Sequence, residues 1–276
     1  MIRSARLLAL AVATGAMVMT MSGCDRLAAR DQLNKGVEAY KSAHYEEAIG
    51  HFQRATELDP SLPMAKSYLA TALAQNVVPG LDTPENLKTA QQAISIFEEV
   101  LAKEPNDVNS MKQIAGIYFS VKKLDDAEQW QKKVLAVDPN DPEAAYTVGV
   151  IDWTKAHENT LQALVPAGIN DDGEGNVKAP KKILEQISEE NTPLVTEGLE
   201  YLNRALADRP TYDDAMAYVN LTYRRKADCD YKDPAEVKAD VDQATHWMQQ
   251  TLATRKANEQ KKEKGSGGIT MDSGGS

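Results

Sequence analysis

Along most of the chain, apolar side chains recur at the spacing of one helix face, and a proline closes each run. Four stretches share a small residue followed twelve residues later by proline: Ala48 to Pro60, Ala93 to Pro105, Ala127 to Pro139 and Gly198 to Pro210. Phe52, Phe97 and Leu202 stand four residues after the small residue, and Ala55, Val100, Val134 and Ala205 three further on. Positions i, i+4 and i+7 fall on one helix face. Proline ends that helix because its ring clashes with the preceding turn. Three residues past each proline a second apolar register begins, marked by Ile114, Ala115 and Tyr118, by Val148 and Gly149, and by Val219 and Tyr223. Gly36, Ala70, Ala115 and Gly149 keep a small residue at one fixed place in it. A small side chain there lets two helices approach where Leu or Phe would hold them apart. The repeating unit is therefore a helix, a tight turn and a second helix.

This pattern resembles the tetratricopeptide repeat, a helix pair of about 34 residues with a small residue in the first helix, alanine and a bulky apolar residue in the second, and a closing proline. The first unit, Ala29 to Leu62, carries Gly36, Tyr45, Ala48, Phe52, Ala55 and Pro60 in their places. The third, Val108 to Asp141, departs where Gln131 takes the bulky place and Trp130 precedes it, and the fourth has Gly198 for alanine. A fifth begins at Asp213 and runs to a helix around Ala244, Met248 and Leu252 with no closing proline. The resemblance implies an all-α, right-handed superhelical solenoid of about five helix pairs over residues 29–263, whose apolar faces are buried by stacking.

Successive closing prolines are 45, 34 and 71 residues apart, so the second and fourth units carry extra residues, and aligning Ala244 gives the fifth some as well. Both registers survive in each, which locates the insertions between the paired helices: Asn76 to Lys88, about Lys155 to Asn191 and about Ala227 to Ala239. Stacking would line these turns along one edge. A functional edge and neutral loop drift weigh about equally, since surface insertions are cheap. If the insertions form a functional edge, deleting Gly168 to Lys178 is expected to leave stability nearly unchanged, because no repeat helix is touched, while partner binding falls.

The first 23 residues read as a processing signal. Arg3 and Arg6 precede an uncharged, mostly apolar stretch from Leu7 to Met19, too short for a comfortable span of about 20 residues. Met21-Ser22-Gly23-Cys24 resembles the lipobox of bacterial lipoproteins. The resemblance implies cleavage before Cys24, a lipid on its sulfur, a short linker over residues 24–28 and a bacterial-envelope membrane anchor. Asp25 resembles an inner-membrane retention signal, which favours the periplasmic face of that membrane and leaves the outer membrane open. An uncleaved signal anchor is the alternative. Residues 264–276, rich in Gly and Ser, read as a disordered tail.

With 31 Lys plus Arg against 41 Asp plus Glu, the net charge is −10, which argues against nucleic acid, whose phosphates demand a basic footprint. Apolar residues make up 42%, enough for a sizeable core. The two cysteines cannot form a disulfide framework, and the carboxylates flanking Cys229 argue against an activated thiol. His44, His51, His157 and His246 lack metal-site spacing. The stretch Asn170 to Asn176 has calcium-loop character, but Lys181 stands where the bidentate carboxylate belongs. The insertion at 155–191 offers His157 and Ser188 as its only base and serine, far apart along the chain, so an enzyme hidden there is the weakest reading. No catalysis, cofactor, metal or small-molecule substrate is expected.

What the family resemblance implies is a membrane-tethered adaptor or scaffold with a protein or peptide partner in a groove lined by the first helices. An envelope assembly or secretion factor, of the outer-membrane protein or pilus biogenesis type, is a narrower alternative. The groove positions are Leu33, Tyr40, Lys112, Phe119, Tyr146, Trp153 and Arg224, with Arg225 beside the last. Leu33 and Val37 replace two residues of the chaperone-type carboxylate clamp, so an apolar or mixed peptide fits better than a free C-terminus. Arg224 and Arg225 suggest an acidic-peptide site. Packing of the rings between neighbouring repeats is the competing reading.

Overall fold

The computed structural model describes residues 24–266, which are α-helical with no strand among them. Helix α1 covers residues 24–41. It is followed by α2 (Tyr45–Leu58), α3 (Pro63–Asn76), α4 (Pro84–Leu101), α5 (Val108–Ser120) and α6 (Leu124–Val137). The chain continues with α7 (Pro142–Leu164), a 3-10 turn (Val165–Ala167), α8 (Lys181–Asp208), α9 (Asp213–Cys229) and α10 (Pro234–Ser266). In chain order these are five helix pairs. Helices α3, α5, α7 and α9 each start three residues after Pro60, Pro105, Pro139 and Pro210. Caps fix several starts: Asp107 accepts from the Ser110 N–H, and Asp141 from those of Glu143 and Ala144, satisfying donors that a helix start leaves open.

The chain divides into two compact units between Ala127 and Glu128, inside α6. In the first unit, Ala48, Phe52 and Ala55 of α2 are buried, as are Ala93, Ile94 and Phe97 of α4. A Cβ on Gly36 would come within 2.5 Å of the Phe52 ring, which explains the small residue there. The Phe52 and Tyr68 rings stack with centroids 5.5 Å apart. In the second unit, Val148 and Ile151 of α7 and Leu202 and Ala205 of α8 are fully buried. A Cβ on Gly149 would meet Leu202 Cγ at 2.5 Å and the Gly198 carbonyl at 3.0 Å. One on Gly198 would sit 3.1 Å from Asp152 Cβ, so glycine in place of alanine fits the close crossing of α7 over α8.

The insertions do lie between paired helices, but most of their residues lengthen those helices. The first leaves a loop, 77–83, laced by buried Asn86, whose side chain accepts from the Val78 N–H and donates to the Val78 and Leu81 carbonyls. The second extends α7 to Leu164 and starts α8 at Lys181, because Leu164, Ala179, Leu184 and Ile187 bury one another in a small core of their own. The third shrinks to the turn 230–233 between α9 and α10.

Residues 24–28 are helical and continuous with α1, so they are not an extended linker. Helix α10 likewise runs through Ser266, past the expected start of the tail; the remaining tail and the signal at 1–23 lie outside the described residues. Among the described residues, no helix is long and apolar enough to cross a membrane.

Candidate functional site

Helix α7 carries Tyr146 and, two turns on, Trp153, which place their rings on one face at i and i+7. Helix α9 brings Tyr218 against both: its ring is 5.7 Å from Tyr146 and 5.3 Å from Trp153, edge-on in each case. Tyr212, just before α9, lies 4.9 Å from Tyr146. His157, one turn past Trp153, stacks on the indole at 5.0 Å. All five rings are half-buried, so the cluster forms a surface with its edges in solvent. Edge-to-face geometry suits the ring quadrupoles and fixes their orientation. Burial pushes the Tyr212 phenol up to about 12 and raises those of Tyr146 and Tyr218, so all three remain protonated donors at neutral pH.

Next to this surface the loop 169–180 closes on α9. Arg224 Nη1 donates to the Gly173 carbonyl at 3.0 Å. Arg225, only 3% exposed, pairs with Asp171 at 2.9 Å and Asp228 at 3.0 Å. Asn176 is buried too and donates to Asp171 and to fully buried Asp228. Burial would raise Asp171, but the Arg225 hydrogen bond and charge hold it below its ordinary value. Burial and the nearby Arg225 charge lower His157, which lies 4.0 Å from Asp171. The glycines have specific jobs: Gly175, at φ +97°, leaves no room for a Cβ, which would meet Val237 at 2.8 Å and the Ala227 carbonyl at 3.2 Å.

Two expectations are corrected here. Arg225 is not a groove residue, because its guanidinium is buried among its own chain's carboxylates and has no face for a ligand. The segment Gly168 to Lys178 is not a dispensable loop, because it supplies Asp171 and Asn176 to buried partners on α9. Two of its three carboxylates are also committed: Asp171 and Asp172 accept from N–H groups within the loop, which is a chain of Asx turns.

The other expected groove positions are scattered through both units. Leu33 and Tyr40 are half-buried on α1, with the Tyr40 ring 5.4 Å from Tyr45. Lys112 is half-buried on α5 and already engaged, while Phe119 is 38% exposed. Cys24 is exposed. His157 and Ser188 are not brought together, since the Ser188 hydroxyl donates to the Cys229 carbonyl. Burial first, then the Asp228 and Asp230 charges, push the Cys229 thiol up to about 12, which leaves it inert. Sequence reasoning missed Tyr212 and Tyr218; the three tyrosines between 212 and 223 were the available signal.

Residues 33–77 and 87–149 each match a tetratricopeptide repeat family model. Mouse (Mus musculus) sperm-associated antigen 1 is 29% identical over 140 residues, 51% of this chain but only 14% of that protein. Among solved structures, MamA (41-end) from Desulfovibrio magneticus RS-1 superposes with a TM-score of 0.54 at 15% identity, covering 83% of this chain and 96% of that one. A second MamA structure gives 0.51 at 11% identity, covering 84% and 94%. The all-α repeat-solenoid fold class is thus borne out over nearly all of the described chain.

Proposed function

We propose that this repeat protein is a scaffold that binds a protein or peptide segment, held at a bacterial envelope membrane by a lipid on Cys24. The observation that carries the binding half is the half-exposed Tyr146–Trp153–Tyr218 surface: large rings already ordered by one another offer contact area at little further entropic cost. An apolar or mixed segment suits it, with the phenol hydroxyls as donors. Arg224 already binds the Gly173 carbonyl, so it contributes at most through its remaining guanidinium donors. The Met21–Cys24 motif supports the tether. Because residue 24 is exposed and is the first residue of α1, cleavage before it would put the lipid directly on that helix, rather than on a loose leash.

Crosslinking in intact cells, followed by recovery of the protein and its neighbours, tests both halves. Cys24→Ala is expected to free the protein from the membrane fraction, and unchanged retention would remove the tether. Trp153→Ala is expected to stay at the membrane, remain folded well below its melting point and lose the enriched partner. Recovery of the same partner by Trp153→Ala, or of only bulk membrane proteins by the unaltered chain, would sink the scaffold reading.

A further inference from the structure

At the place on α7 where α5 carries Tyr118 and α9 carries Tyr223, the chain has Asp152. Its side chain is fully buried, and neither carboxyl oxygen has a hydrogen-bond partner. The close crossing at Gly149 and Gly198 presses it against α8. Two more carboxylates converge there, Glu128 from α6 and Glu197 from α8, and one oxygen of each of the three lies within 4.8 Å of the others.

Two ammonium groups face the same cluster. Lys132 of α6 donates to Glu128 at 2.5 Å and to Glu197 at 2.6 Å, and Lys155 of α7 donates to Glu128 at 2.7 Å. Burial opposes ionisation of Glu128, but the hydrogen bonds from both lysines keep its carboxyl below its ordinary value. Three carboxylates against two ammonium groups leave one negative charge in excess, and Asp152 is the member with no partner. A divalent cation would have to compete with the lysines for Glu128 and Glu197. A proton on Asp152 neutralises the set and displaces nothing.

We propose that Asp152 is a proton-binding site of the second unit, and that the close contact of α7 with α8 depends on its occupancy. Buried and unpaired, an ionised Asp152 would face two like charges in a poorly polarisable setting, which is the arrangement that makes one carboxyl of a group keep its proton. Burial first, then Glu128 and Glu197, push it up to about 8, with Lys132 and Lys155 opposing. The unfolded chain releases this proton near the ordinary aspartate value of 3.8, so between the two values the folded chain holds the extra proton. Stability of the second unit therefore falls as pH rises through that window, and Asp152 adds no further dependence above it.

The test compares thermal unfolding of the full chain with that of Asp152→Asn, which keeps the shape and cannot ionise. The variant is expected to melt higher near pH ~8, with the difference shrinking towards pH ~5. Groups outside this cluster titrate alike in both chains and cancel in the comparison. Difference infrared spectra should also show that Asp152→Asn loses part of the protonated-carboxyl band at neutral pH, the remainder coming from Asp228, which burial pushes up to about 7. Parallel melting curves across pH, or a band of unchanged intensity in the variant, would overturn the proposal. If Asp152→Asn does not fold, Glu197→Gln takes its place: removing one neighbouring charge should move the pH step lower, and an unmoved step would count equally against it.

Discussion

In the first repeat the chain passes from α1 to α2 through residues 42–44, whereas in the fourth the passage from α7 to α8 takes residues 165–180. The short turn, like the one at 121–123, turns on a single left-handed residue, Ala43 or Lys122, each at φ 59°. Its hydrogen bonds are local backbone ones, such as the His44 N–H to the Ala39 carbonyl at 2.9 Å. The long passage does the opposite. It carries charged and amide side chains into the second unit and satisfies them against α9, so its order depends on partners far along the chain. Length alone does not make a loop loose; what decides is whether the added residues bring buried partners with them.

Removing those partners should therefore separate the two kinds of turn most widely. Deleting Gly168 to Lys178, or substituting Asp171→Ala, leaves the buried Arg225 short of a partner and should cost about 3–5 kcal/mol, read by denaturant unfolding of the second unit. A cost near zero would return the passage to passive drift. A smaller effect tests whether the paired helices themselves are equally tight in the two units. Gly149→Ala drives a Cβ into Leu202 and a backbone carbonyl, and should cost about 1–3 kcal/mol. Gly36→Ala meets only the edge of the Phe52 ring and should cost less; the reverse order would refute that difference. The smallest change is expected at the short turn, where Ala43→Gly relieves a left-handed Cβ and should raise stability by about 0.5 kcal/mol. A loss there would mean that Ala43 makes contacts its turn does not require.

The helix pairs were legible because each signal is periodic: a proline at the end, a small residue at the crossing, an apolar face between. Gly36 and Gly149 mark close crossings, and Phe52, Leu202 and the Gly198 carbonyl are the atoms they make room for. The insertions were legible only as extra length. Nothing in the local pattern says that Leu164, Ala179, Leu184 and Ile187 find one another, because those contacts skip across the chain with no shared period. Arg225 was misplaced for the same reason: its helix position was read from the repeat, but its partners come from an insertion that the repeat does not describe. Asp152 gave a fainter signal, a carboxylate where two sister helices carry tyrosine, and its meaning needed Glu128 and Glu197 in space.

The clasp formed by residues 169–180 also bears on how the molecule comes apart. In an array where each repeat touches only its neighbours, unfolding can start at an end and proceed unit by unit. Here the connection between α7 and α8 is fastened to α9 through Arg224, Arg225 and Asp228, and Gly175 sits against Val237 of α10. A terminal pair fastened in this way cannot fray alone. The last two repeats should open as one cooperative block, with the amide protons of α9 exchanging at the same slow rate as those of α7 and α8, rather than on the faster schedule of a loose end.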